Sequence, residues 1–106
     1  MLTNRTERHE EALGLIKKAI MLDPENEAII DSMGWVLFKL ERYEEALPYL
    51  RKAYSLTSDP EVAAHYGELL WVLGQKKEAH DVWQEALRRS PDDELLKNLI
   101  HRHTIQ

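Results

Sequence analysis

No cysteine occurs anywhere in the chain, so neither a disulfide nor a thiolate metal site can hold it together, although this leaves the compartment open. No apolar run is long enough to span a bilayer, which argues against direct membrane insertion. Met1 to Arg8 lacks the apolar core and small-residue cleavage site of a signal peptide. Lys and Arg number 14 against 19 Asp and Glu, giving a formal net charge of -5 and a pI near 5.5. A phosphate-neutralising surface needs clustered cations, so nucleic acid is not the expected partner. Catalytic motifs are missing as well. There is no glycine-rich phosphate loop and no nucleophile elbow, and His9-Glu10 is not followed by the second histidine of a zinc protease. His101 and His103 diverge on a helix, and His9, His65 and His80 belong to separate elements. No nucleophile, base and orienting group converge, and neither a cofactor, a metal nor an enzymatic activity is expected.

What the chain does contain is a repeat of small residues. Ala12, Ala46 and Ala79 recur at intervals of 34 and 33, Ala19, Ala53 and Ala86 recur likewise, and Gly34 returns as Gly67. A fixed period in this range indicates stacked helix pairs rather than a fold built around a catalytic pocket. Apolar residues keep helical spacing, as at Ala12, Leu13, Ile16, Ala19 and Ile20, or at Ala46, Leu47, Leu50, Ala53 and Tyr54. Short breakers separate these runs: Asp23-Pro24-Glu25-Asn26, Glu41-Arg42, Ser58-Asp59-Pro60, Gly74-Gln75 and Ser90-Pro91-Asp92-Asp93. The spacing predicts helices at about residues 7 to 22, 26 to 39, 43 to 56, 60 to 73, 76 to 89 and 93 to 103. Connections this short make neighbouring helices antiparallel.

These residues resemble the tetratricopeptide repeat family, whose pattern is W-x2-L-G-x2-Y, then A-x3-F, then P. Tyr66-Gly67, Leu70, Ala79, Trp83, Ala86 and Pro91 follow it in one repeat, and Met33-Gly34, Leu37, Tyr43, Ala46, Leu50 and Ala53 in the repeat before. Ala12, Ile16, Ala19 and Pro24 match only the second half of a first repeat. Ile30 and Ala63 stand where the family often has Trp, and Glu41 where a turn glycine is common. The resemblance implies an all-α right-handed superhelix of antiparallel helix pairs. It would hold about two and a half repeats and a capping helix in a single domain, residues 1–106: a partial repeat over 1–26, repeats over 27–59 and 60–93, and a cap with its tail over 93–106. Gly34 and Gly67, with Ala12, Ala19, Ala46, Ala53, Ala79 and Ala86, would mark the backbone crossings.

In this family the outward face of each first helix lines a concave groove that holds a peptide or partner protein. Helical arithmetic places Ala28, Asp31, Trp35, Phe38 and Lys39 on that face of one repeat, and Glu61, Ala64, Glu68, Trp71 and Val72 on the next. Trp35, Phe38 and Trp71 are the expected anchors. Asp31, Glu61 and Glu68 would favour basic residues or free backbone amides on the ligand. Family members that grip a C-terminal carboxylate use Lys, Arg and Asn there; here only Lys39 and His65 could serve, so a chaperone-tail clamp is not expected. The alternative is that Trp35 and Trp71 pack against neighbouring repeats or a missing segment.

The first repeat lacks most of its first helix, which predicts that Leu13, Ile16 or Ile20 is partly uncovered. Two readings follow: a fragment of a longer repeat protein, forming the structural C-terminal end of its solenoid, or a short chain that covers the gap by self-association. A narrower resemblance lies in Asp31-Ser32-Met33-Gly34-Trp35-Val36-Leu37 with Tyr43-Glu44-Glu45-Ala46-Leu47-Pro48-Tyr49-Leu50. It is similar to the C-terminal repeats of tetratricopeptide proteins from Gram-negative bacteria. Some of these are outer-membrane lipoproteins that serve as adaptors for periplasmic proteases. It implies a periplasmic, outer-membrane-associated or cytoplasmic setting.

Overall fold

The computed structural model describes residues 5–103, with side chains from Glu7 onward. Within these residues six helices follow one another: α1 Arg5–Leu22, α2 Glu27–Lys39, α3 Tyr43–Leu56, α4 Pro60–Val72, α5 Lys76–Arg89 and α6 Glu94–Arg102. Among the described residues there is no strand, and every predicted helix is present within a few residues of its expected bounds. Contacts divide the chain into two units, one ending at Ala53 within α3 and the other beginning at Tyr54.

Local chemistry explains where the helices start. The Asn26 carboxamide accepts from the Ala28 and Ile29 amides at 3.0 and 3.1 Å, and Asp59 accepts from Glu61 N at 2.8 Å with Pro60 in the first turn behind it. Asp93 caps α6 through Leu96 N at 2.9 Å. Each of these satisfies amide donors that the helix itself leaves unpaired. α5 follows Gln75, which makes no side-chain capping bond.

The helix ends match even more closely. Leu40 N, Glu41 N and Arg42 N bond to the carbonyls of Val36, Phe38 and Leu37; Leu73 N, Gly74 N and Gln75 N bond to those of Leu69, Trp71 and Leu70. This closure needs one left-handed residue, and it falls on Gly74 at φ 87° and on Glu41 at φ 61°. The turn glycine absent from the sequence at Glu41 is therefore absent from a turn that forms anyway. Pro48 sits inside α3, where it cannot donate to the Glu44 carbonyl, and its side chain is exposed.

In the first unit, Ile30, Met33, Leu37, Ala46, Leu50 and Ala53 are buried. A Cβ on Gly34 would come within 2.5 Å of Leu50 Cγ, so glycine is what lets α2 lie this close to Leu50. α1 packs on α2, yet only Leu13 of its expected core is buried. Ala12, Ile16, Ala19 and Ile20 are half-buried. The uncovered edge anticipated from the sequence is thus present at Ile16 and Ile20 but not at Leu13.

In the second unit, α4 packs on both α5 and α6. A Cβ on Gly67 would overlap the Trp83 indole around Nε1. Trp83 is fully buried, and its Nε1 donates to Ala64 O at 3.4 Å. Ala79, Val82 and Ala86 complete the α5 face, and Leu96 and Leu99 bring α6 onto the same core.

Candidate partner-binding faces

On α2, Trp35 stacks on Phe38 with ring centroids 4.9 Å apart and planes inclined by 5°. Lys39, one turn beyond Trp35, holds its ammonium 4.7 Å from the indole centroid, within the range where the ring quadrupole attracts a cation. Tyr43, at the start of α3, meets Phe38 edge-on at 5.4 Å. Trp35 and Phe38 are half-buried and Lys39 is exposed. Two rings, a cation and a tyrosine edge therefore share one small surface. Asp31 lies on the same helix but is 9% exposed, so its carboxylate takes part in the packing instead of standing open to solvent.

The corresponding face of α4 is organised differently. Trp71 stacks on the buried Trp83 at 6.0 Å with an angle of 23° and meets His103 edge-on at 4.7 Å. Lys76 stands 5.1 Å from the Trp71 centroid. Trp71 thus spends part of its surface on Trp83 of its own repeat and on His103 beyond α6, while remaining half-buried. Glu61 is exposed, Glu68 half-buried and Val72 exposed, but Ala64 is buried because its carbonyl meets the Trp83 indole. His65 is also buried, with Nε2 3.9 Å from Glu61 Oε1.

Helical arithmetic could find the Trp35, Phe38 and Lys39 cluster, since all three lie on one helix. It could not find Lys76, which reaches Trp71 from beyond a turn, nor His103 at the end of α6, nor the Tyr43 edge. Among the described residues no group of three or more His, Cys, Asp or Glu could hold a metal. Nor, among them, is any helix long and apolar enough to cross a membrane.

A family model for the tetratricopeptide repeat matches residues 1–99. The chain belongs to the tetratricopeptide repeat (TPR) family. A TPR repeat-containing protein of Pseudomonas aeruginosa is 44% identical over 67 residues, which are 63% of this chain and 11% of that protein. The chain therefore matches about a ninth of the length of that curated relative. A thermophilic TPR protein of Thermus thermophilus superposes with a TM-score of 0.85 at 26% identity, covering 96% of this chain and 54% of the other. The first TPR of Spaghetti (RPAP3), bound to an HSP90 peptide, gives a TM-score of 0.83 at 19% identity, covering 92% and 78%. The second TPR domain of human RPAP3, in complex with an HSP70 peptide, gives 0.82 at 21%, again over 92% of this chain and over 82% of that domain. TPR folds of this kind are typically non-catalytic scaffolds for protein interaction.

Proposed function

We propose that this TPR protein is a non-catalytic interaction module with two candidate partner-binding faces, the outward face of α2 and, taken by itself, the outward face of α4. The observation that supports this most is the Trp35, Phe38 and Lys39 cluster. Its rings are already stacked and roofed, so little side-chain freedom is lost when a ligand arrives. Half-exposed aromatics of this kind supply most of the energy at peptide interfaces. Glu61 and Glu68 on α4, with Glu61 exposed, favour Lys, Arg or free backbone amides on a ligand at that face.

The ligand class differs from that in the RPAP3 complexes, whose bound peptides end in Glu-Glu-Val-Asp. Holding such a tail requires cations free to meet carboxylates. Here Lys39 and Lys76 stand over indoles, and His65 is buried beside Glu61. A peptide panel read by calorimetry tests the proposal. Peptides carrying an aromatic or aliphatic anchor with Lys or Arg should bind, and Trp35→Ala should weaken them by about tenfold or more while lowering the melting temperature only modestly and leaving the circular dichroism of the folded chain unchanged. The acidic peptide SRMEEVD should bind more weakly than these. Tight binding of SRMEEVD, or affinity indifferent to Trp35→Ala, would overturn the reading.

A second reading, that residues 1–106 form the structural end of a longer TPR array, is favoured by the open edge of α1.

A further inference from the structure

α1 and α2 enclose an apolar groove of about 340 Å³, lined by Leu15, Ile16 and Ala19 from α1 and Ala28, Ile29 and Ser32 from α2. Ser32 adds little polarity, because its hydroxyl donates back to Ala28 O at 2.9 Å. Leu15 at the rim is 68% exposed.

At one constant spacing, Leu15, Ile16 and Ala19 correspond to Val82, Trp83 and Ala86 on α5, and Ala28, Ile29 and Ser32 correspond to Leu95, Leu96 and Leu99 on α6. All but Leu95 of that second set are buried, and the helix packed against both α5 and α6 is α4. α4 enters this place by laying Gly67 on Trp83, as α2 lays Gly34 on Leu50. Among the described residues, the α1/α2 groove is lined by those two helices alone, with no third helix seated in it.

The surface beyond the groove points the same way. Met21 and Leu22 are 83% and 88% exposed, and at the same spacing their counterparts on α5 are Arg88 and Arg89. Two apolar side chains thus extend the α1 face where the second unit carries charge.

We infer that the α1/α2 groove, apart from the Trp35 face, is a docking site for one amphipathic helix of the α2 and α4 type. Such a partner helix carries a glycine, flanked by large apolar residues, that lies on Ile16. A second copy of this chain is a poor occupant. Its two helices of this make, α2 and α4, already use their glycine faces on Leu50 and Trp83, and α6 carries His101 one repeat length after Gly67. An imidazole at the crossing would hold the helices apart.

The test uses the whole chain and a synthetic peptide of residues 26–40, whose Gly34 supplies the required crossing. The readout is backbone amide NMR. The peptide should bind saturably and shift Leu15, Ile16, Ala19, Ala28, Ile29 and Ser32. The same peptide with Gly34→Leu should bind at least about tenfold more weakly. Leu15→Glu in the chain should weaken binding to a similar degree, and since Leu15 is exposed the fold should survive, as unchanged amide dispersion would verify. Equal affinity for both peptides, shifts confined to other faces, or no binding up to about 1 mM would overturn the inference. So would a concentration-dependent dimer that Leu15→Glu abolishes, which would make a second copy the occupant.

Discussion

α1 and α5 carry the same pattern of small and large residues, and only α5 has it covered. Ala79 and Trp83 are fully buried beneath α4, while their counterparts Ala12 and Ile16 are half-buried. The lesson is that a repeat pattern records which face a helix is built to bury, whereas burial itself depends on a partner being present. For the same reason hydrophobic stabilisation is unevenly spread, since it follows the apolar area removed from water.

The largest expected effect comes from removing the most buried member of that matched pair. Trp83→Ala should cost about 3–5 kcal/mol, because it empties the space between α4 and α5 and leaves Ala64 O without the indole donor. Ile16→Ala, at the same repeat position, should cost roughly 1 kcal/mol, since half-burial leaves less area to lose. Urea unfolding of the two variants checks this. Similar losses would mean that α1 is covered in solution.

Smaller effects sharpen the comparison at the turns. Glu41 and Gly74 close identical hydrogen-bonded ends, both with positive φ. Glu41→Gly should therefore stabilise the chain by about 0.5–1 kcal/mol, and Gly74→Glu should destabilise it by a similar amount. A loss on Glu41→Gly, measured in the same unfolding assay, would show that the side chain contributes something the turn geometry hides.

The smallest effect is electrostatic and belongs to the first unit. Arg42 donates to both Glu45 oxygens, at 2.7 and 2.9 Å, and reaches Glu10 at 3.5 Å. The hydrogen bond from Arg42 holds the Glu45 carboxyl below its ordinary range. With the folded-state pKa depressed, the contribution is present above the unfolded carboxylate pKa and is lost as pH falls through the folded value. The pair is solvent-exposed, so its effect on stability should be slight. Carboxyl NMR should show the Glu45 midpoint rising toward the ordinary range in Arg42→Ala; an unmoved midpoint would dismiss the pair.

Much of the fold was legible because its signals are local. Asn26, Asp59 and Asp93 announce helix starts, and the spacing of Gly34 and Gly67 announces close crossings; neither depends on distant residues. The α2 aromatic cluster was equally readable, since Trp35, Phe38 and Lys39 share one helix. Asp31 and Ala64 were assigned to an open face yet are buried, because burial at the edge of a helical stripe depends on neighbouring helices rather than on periodicity. Trp71 illustrates the same limit. Its dealings with Trp83, Lys76 and His103 come from other elements, and no single-helix pattern encodes them.

The most direct measurement introduces one identical substitution at the two equivalent alanines. Ala79→Leu should cost about 1–3 kcal/mol by overpacking a closed crossing, and Ala12→Leu should cost less than about 0.5 kcal/mol, because Ala12 is only half-buried. Equal destabilisation of the two variants would contradict the account, since it would place a helix over α1 just as α4 lies over α5.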